Sequence, residues 1–175
     1  MADVLKDKLA KIELLVLDVD GVLTDGTIII HGDGSETKSF HTLDGHGIRL
    51  WQRAGGRTAL LSGRMSDPTA IRAAALDIEH VFQNMHHKLP KMQEFLAEIG
   101  LEPDRVAYVG DDLPDLPVMR YVGLGVAVAD AVPEVRRYAD YVTAHPGGRG
   151  AVREVIEMLL RASGRWDALM ERYLT

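Results

Sequence analysis

Short apolar runs recur along this chain, and most are followed by a stretch whose apolar positions fall three or four residues apart. Leu14-Leu15-Val16-Leu17 is the first such run. Strands are expected near Leu14 to Asp20, Arg57 to Ser62, His80 to Gln83, Val106 to Gly110, Leu124 to Val128 and Tyr141 to Thr143. Helical spacing fits Gly47 to Ala54, Asp67 to Leu76, Leu89 to Ile99, Pro114 to Tyr121, Pro133 to Tyr138 and Ala151 to Ala162. Ser66 or Asp67 suits the cap of the second helix, with Pro68 in its first turn where the missing donor costs nothing. Strands alternating with helices predict an α/β fold around a parallel sheet.

One segment breaks the alternation. Thr27-Ile28-Ile29-Ile30, His31-Gly32-Asp33-Gly34 and Ser35-Glu36-Thr37-Lys38-Ser39-Phe40 read as a β-hairpin, about residues 26–41. A two-stranded ribbon cannot hide three consecutive isoleucines on one side. Packing against another subunit would cover them; folding onto its own domain is the alternative.

The first run ends in Asp18-Val19-Asp20-Gly21. Ligands of open α/β sheets bind at the carboxyl ends of strands, and strand alternation turns Asp18 and Asp20 one way and Val19 the other. Such a pair suits phosphoryl transfer, which needs a nucleophile, a proton for the leaving oxygen and later a base for water. A divalent cation must accompany it, because carboxylates repel a phosphate dianion. The plainer reading makes the pair a strand end with Gly21 as breaker.

Three more segments stand at predicted strand or helix ends. Ser62-Gly63 offers a hydroxyl and turn amides to phosphoryl oxygens, although alone it is a loop. Lys88 opens a helix, where an ammonium can neutralise both Asp18 and the group in transfer; an isolated lysine there is usually solvated surface. Val106 to Gly110 runs into Asp111, Asp112 and Asp115, hard oxygen donors suited to magnesium that also favour a helix start.

Composition narrows the field. The 175 residues fit one domain, 1–175, with a tail of unread role at about 165–175. Lys and Arg total 20 against 26 Asp and Glu, a net charge of −6, which speaks against nucleic acid or anionic membranes as partners. Cysteine is absent, so disulfides and thiol nucleophiles are excluded. Without an export signal or an apolar stretch of roughly 18 residues, a cytoplasmic location is expected. The seven histidines show no zinc-ligand spacing.

In this order the four segments resemble the haloacid dehalogenase superfamily of phosphohydrolases, over nearly the whole chain. More narrowly, Asp18 to Gly26, the loop Phe40 to Ile48, Val106 to Asp115 and Gly147 to Val155 resemble the capless family of 3-deoxy-D-manno-octulosonate 8-phosphate phosphatases. The resemblance implies a three-layer Rossmann-like fold with a hairpin insertion in place of a cap domain. It implies Asp18 as nucleophile, Asp20 as general acid and base, and magnesium (Mg2+) held by Asp18, the Asp20 main-chain carbonyl and Asp111. Ser62 and Lys88 would hold the phosphoryl group, with Asp112 and Asp115 supporting.

Substrate contacts are implied for His41, Thr42, Leu43, Asp44, Gly45, Arg49, Arg64, Arg72 and Lys88. Arginine forks suit a sugar acid phosphate, which carries a carboxylate besides its phosphate. Leu43 stands where many relatives have an arginine, and His86-His87 precede Lys88 where Asn or Asp is more usual. The partners implied are that substrate and a homotetramer in which the hairpin roofs a neighbour's site. The activity implied is Mg-dependent hydrolysis of the eight-carbon acid phosphate, in lipopolysaccharide biosynthesis. Alternatives are a phosphatase for a nine-carbon sialic-type acid, a receiver-like phosphoacceptor and a catalytically dead scaffold. A receiver, however, places adjacent acids on its first strand.

Overall fold

A computed structural model of the chain describes residues Ala2–Leu174. Six parallel strands form its sheet: β1 (Leu14–Leu17), β4 (Arg57–Leu61), β5 (His80–Phe82), β6 (Val106–Gly110), β7 (Leu124–Ala127) and β8 (Tyr141–Val142). Their order is β5-β4-β1-β6-β7-β8. Every residue of β1, β6 and β7 is buried, as expected of strands covered on both faces, which therefore read as unbroken apolar runs. Helices flank the sheet. Leu17 lies opposite Leu60 on one side and Val109 on the other, so the residues after β1, β4 and β6 emerge at one edge. The chain builds outward to β5 and then returns to β6 across β1, making this edge the switch point where open α/β sheets bind ligands.

The six strands stand where expected, trimmed by up to three residues. β1 stops at Leu17 because the chain turns after Val19, whose carbonyl accepts the N–H groups of Val22, Leu23 and Thr24. Asp20 thus lies in a turn, and strand alternation is not what aims it. Of the helices, α3 (Asp67–Ala75), α4 (Lys88–Ile99), α6 (Pro133–Tyr138) and α7 (Ala151–Ala162) match within a residue. The expected helix at Pro114 to Tyr121 is instead a 3₁₀ turn, Leu113–Asp115, followed by the short α5 (Leu116–Met119).

Helix α2 (Thr42–Arg53) begins five residues before the expected Gly47, so most of the supposed loop His41 to Gly45 is helical. Gly45 and Gly47 both lie buried within α2 and serve packing. A Cβ on Gly47 would lie 3.2 Å from the Arg153 Cα, and only glycine lets α2 approach α7 so closely. Two helices escaped the pattern altogether: α1 (Ala2–Lys11), and α8 (Trp166–Leu174) in the tail. The latter folds back on α2, with Arg53 Nη1 donating to the Tyr173 hydroxyl at 3.1 Å. Ser66 occupies the cap position of α3 but makes no cap bond, because its hydroxyl donates to Glu36 at 2.8 Å.

The hairpin forms from β2 (Ile29–Ile30) and β3 (Glu36–Thr37). Burial does not divide by face, since Ile30 pairs with Glu36 and shares its side of the ribbon. Glu36 and Lys38 pack onto the protein's own site, whereas Ile28, Ile29 and Ile30 remain 44%, 45% and 70% exposed.

Candidate active site

Where β1, β4 and β6 end, a cleft of about 190 Å³ opens, lined by Asp18, Asp20, Ser62, Arg64, Lys88 and Asp111 among others. Asp18 still donates its backbone N–H to Val109 at 3.0 Å, so the sheet itself fixes its Cα. Its carboxylate is buried and meets the Lys88 ammonium at 2.9 Å. Lys88 is the first residue of α4, where a positive charge opposes the helix dipole. That cost is offset inside the cleft, where Lys88 also lies 2.6 Å from Asp115 and 3.2 Å from the Tyr108 hydroxyl.

Asp115 has no lone pair to spare. Its Oδ1 takes Lys88 and the Tyr108 hydroxyl, at 2.6 Å each, and its Oδ2 accepts the backbone N–H groups of Asp111 and Asp112. It is therefore a brace that aims Lys88 and the turn carrying Asp111. Asp18, Asp111 and Asp115 bring carboxylate oxygens within 4.8 Å of one another. Of these, Asp111 Oδ1 is buried without any hydrogen-bond partner among the described residues. A buried carboxylate oxygen left unpaired beside other carboxylates is costly, and a hard divalent cation relieves it. The donor set fits magnesium.

The protonation of the cleft tells the same story. Burial, and then the Asp115 charge, push Asp18 up to about 6 despite the lowering effect of Lys88. Burial, Asp18 and Asp115 push Asp111 up to about 8. Burial alone would depress Lys88, but Asp18 and Asp115 reverse this and hold it above its ordinary value, fully charged. The Tyr108 phenol is driven well above its usual range by burial and by Asp115, so it stays a donor.

Ser62, also buried, follows β4 and accepts the Arg64 backbone N–H at 3.3 Å. Asp20 receives the Lys38 ammonium on Oδ1, while Arg64 Nε stands 3.9 Å from Oδ2. From behind, the segment Pro146 to Gly150 supports this loop. Gly148 donates its N–H to Val22 at 2.8 Å, and a Cβ on Gly147 would lie 2.6 Å from the Gly21 carbonyl carbon, too close to tolerate.

The structure thus brings Asp18, Asp20, Ser62, Arg64, Lys88 and Asp111 together, with Asp112 and Asp115 beside them. It keeps the other expected contacts apart. His41 caps α2 through Nδ1, with Thr42 as the first helical residue. Leu43 lines a separate groove with Arg149 and Arg153. Asp44 is buried and accepts the N–H groups of Gly150 and Arg153 at 3.1 and 2.8 Å, clamping α2 to the start of α7. Arg49 pairs with Asp77 on another face. Arg72 sits beside Gly45, over the Phe40 ring at 5.7 Å. Sequence reasoning passed over Lys38, Glu36 and Tyr108. The one available signal was their polarity inside segments otherwise read as hairpin or core.

The sequence profile described as haloacid dehalogenase-like hydrolase matches residues 66–156. The 3-deoxy-D-manno-octulosonate 8-phosphate phosphatase KdsC of Escherichia coli K12 is 48% identical over 166 residues, covering 95% of this chain and 88% of that protein. Among solved structures, a probable YrbI family phosphatase from Pseudomonas syringae superposes with a TM-score of 0.97 at 48% identity, covering 99% and 98% of the two chains. The corresponding phosphatase of Moraxella catarrhalis, solved with a magnesium ion, a phosphate ion and a KDO molecule, superposes with a TM-score of 0.95 at 38% identity and 99% coverage of both chains. A shared fold, the ordered acids along the cleft and near-half identity across almost the full length place this chain in the 3-deoxy-D-manno-octulosonate 8-phosphate phosphatase family of haloacid dehalogenase-like hydrolases.

Proposed function

We propose that this chain hydrolyses 3-deoxy-D-manno-octulosonate 8-phosphate to the free sugar acid and phosphate, with magnesium, through a phosphoryl group carried on Asp18. The observation that carries the reading is the convergence of Asp18, Asp111 and Lys88 in one cleft, with Asp111 Oδ1 unpartnered. The Asp18 and Asp111 carboxylates and the Asp20 carbonyl would hold the cation. When bound, magnesium supplies the positive charge that lets a carboxylate approach a phosphate dianion.

An Asp18 oxygen attacks phosphorus and the bond to the sugar oxygen breaks, leaving an aspartyl-phosphate. Asp20 delivers a proton to the departing oxygen and becomes a carboxylate. That carboxylate then takes a proton from the water that attacks phosphorus, which frees Asp18 and restores Asp20. Ser62 and the Lys88 ammonium hold the phosphoryl oxygens, and Asp115 keeps Lys88 aimed. Arg64 and Lys88 are the expected sugar-acid contacts that line the cleft. The reading includes a cytoplasmic homotetramer serving lipopolysaccharide synthesis, with neighbours covering the exposed isoleucines of the hairpin.

A panel of sugar acid phosphates assayed for released phosphate tests this directly. The eight-carbon acid is expected to be turned over with the highest kcat/KM, and only with magnesium present. Preference for a nine-carbon acid phosphate contradicts the substrate; phosphorylation of Asp18 without turnover contradicts the reaction.

The cation makes a second expectation. Asp18 and Asp111 keep protons in the folded chain at pH values where the unfolded chain has lost them. The contribution of this pair to the stability of the metal-free protein therefore falls as pH rises from about 4 to about 8. Magnesium binds the deprotonated pair, so its stabilisation grows over the same interval. At a hundredfold excess over Kd the gain is about 2.7 kcal/mol, or about 5–10 °C in Tm at this chain length. Melting curves with chelator and with magnesium should show the larger shift at pH 8 than at pH 5.5; an equal or reversed shift contradicts the assignment.

A further inference from the structure

Asp20 is held from outside the parallel sheet. Lys38 follows the two-residue β3 and places its ammonium on Asp20 Oδ1, with its own side chain only 1% exposed. Glu36 lies two residues earlier and so on the same face of the ribbon. Its Oε1 stands 3.2 Å from the Lys38 ammonium and accepts the Ser66 hydroxyl at 2.8 Å; its Oε2 meets Arg64 Nη2 at 2.6 Å. The carboxylate thus ties the lysine to the loop after β4. Burying an ammonium costs several kcal/mol per ion unless it is well paired, and the fold of so short a ribbon does not require it. Asp20 lines the cleft, and among the described residues its Oδ2 has only Arg64 Nε, at 3.9 Å.

We propose that Lys38 is a positioning residue for proton delivery to the leaving group: it anchors Asp20 by Oδ1, with Glu36 as its own anchor, so that Oδ2 is presented to the departing ester oxygen. The inference rests on the role given to Asp20 above. As the bond between phosphorus and the sugar oxygen breaks, its electron pair stays on that oxygen, which takes the proton from Oδ2. Asp20 is left as a carboxylate against an ammonium that has kept all its protons. The same Oδ2 accepts a proton from water in the second half of the cycle, so neither residue changes state over a turnover.

The test exploits the leaving group. A sugar alkoxide needs a proton to depart, whereas nitrophenolate does not. Lys38→Met, which keeps the volume and removes the charge, is expected to slow single-turnover release of the sugar acid about 30- to 100-fold, up to the lower end of what general acid catalysis supplies. In a single turnover of p-nitrophenyl phosphate the release of nitrophenolate, which precedes the step in which Asp20 takes a proton from water, should stay within about threefold, and Lys38→Arg should recover most of the rate of sugar-acid release. Equal losses on both esters, or none on either, overturn the proposal. Asp20→Asn is the benchmark: if it too fails to discriminate between the esters, the role of Asp20 falls, and Lys38 with it. If Lys38→Met does not fold, Glu36→Gln should show the same selective loss in smaller measure, and equal changes in single-turnover release from the two esters in that variant overturn the inference as well.

Discussion

Asp18→Asn is expected to reduce phosphate release by about 10⁴-fold or more while the protein remains folded. The amide keeps the shape of the carboxyl but cannot attack phosphorus, and neither Asp115 nor Asp20 is free to take its place. Asp115 has both oxygens committed to Lys88, Tyr108 and two backbone N–H groups. Asp20 sits in a turn, tied to Lys38. The stability readout has a definite sign. Burial raises Asp18 to about 6, so above that pH its charge opposes folding. A neutral amide removes that opposition, at the loss of one contact to Lys88. At pH 8 without metal, the variant should melt at the same temperature as the parent or a few degrees higher, a gain of up to about 2 kcal/mol. Magnesium should then protect the variant less than the parent. Retention of near-parent turnover rules out the covalent route, and a collapse in Tm means that the side chain is chiefly structural.

Lys88→Met should damage both activity and stability. The ammonium is the shared partner of Asp18 and Asp115 at 2.9 and 2.6 Å, with its side chain 3% exposed. Removing one member of a buried ionic group leaves uncompensated charge, at a cost of about 3–5 kcal/mol. At this chain length that is a fall of about 10 °C or more in Tm at pH 8. The loss should shrink on acidification. Without the ammonium, which lowers its pKa, Asp18 takes up a proton more readily in the folded state, so the variant regains stability as pH falls, more steeply than the parent. Turnover should drop by about 10³-fold, because a charge aimed at the transferring group in a site screened from water is worth several kcal/mol. Melting curves at pH 5.5 and pH 8, beside phosphate release, check both halves. A constant Tm deficit across pH would mean that lost packing, not charge, is what the variant suffers.

Much of this site was legible in the chain because each of its parts follows a local rule. Asp18 comes after four buried apolar residues, Asp111 follows the last residue of β6, and Ser62 follows the last of β4. Lys88 at a helix start with no acidic residue in its first turn is a local conflict of the kind that functional sites carry. Where the reading erred, local rules pointed the wrong way. Gly47, the expected helix start, lies within α2 and lets it meet α7, and Ser66 resembles a cap until Glu36 takes its hydroxyl. Asp44, expected among the substrate contacts, is the clamp that holds α2 to the start of α7. Arg49, expected among the substrate contacts, pairs with Asp77 away from the cleft.

Apolar runs of strand length separated by helical spacing determined, by themselves, a parallel α/β sheet with acids at its carboxyl edge. Hydrophobic burial has a period, and a period is visible in one dimension. The tertiary structure alone decided which charges meet. Lys38 reaches Asp20 across 18 residues, and Lys88 reaches Asp115 across 27. Tyr108 joins that pair from inside a buried strand. Ion pairs and hydrogen bonds between distant segments have no periodicity along the chain; they exist because the folded backbone sets their distance and excludes the water that would otherwise separate them.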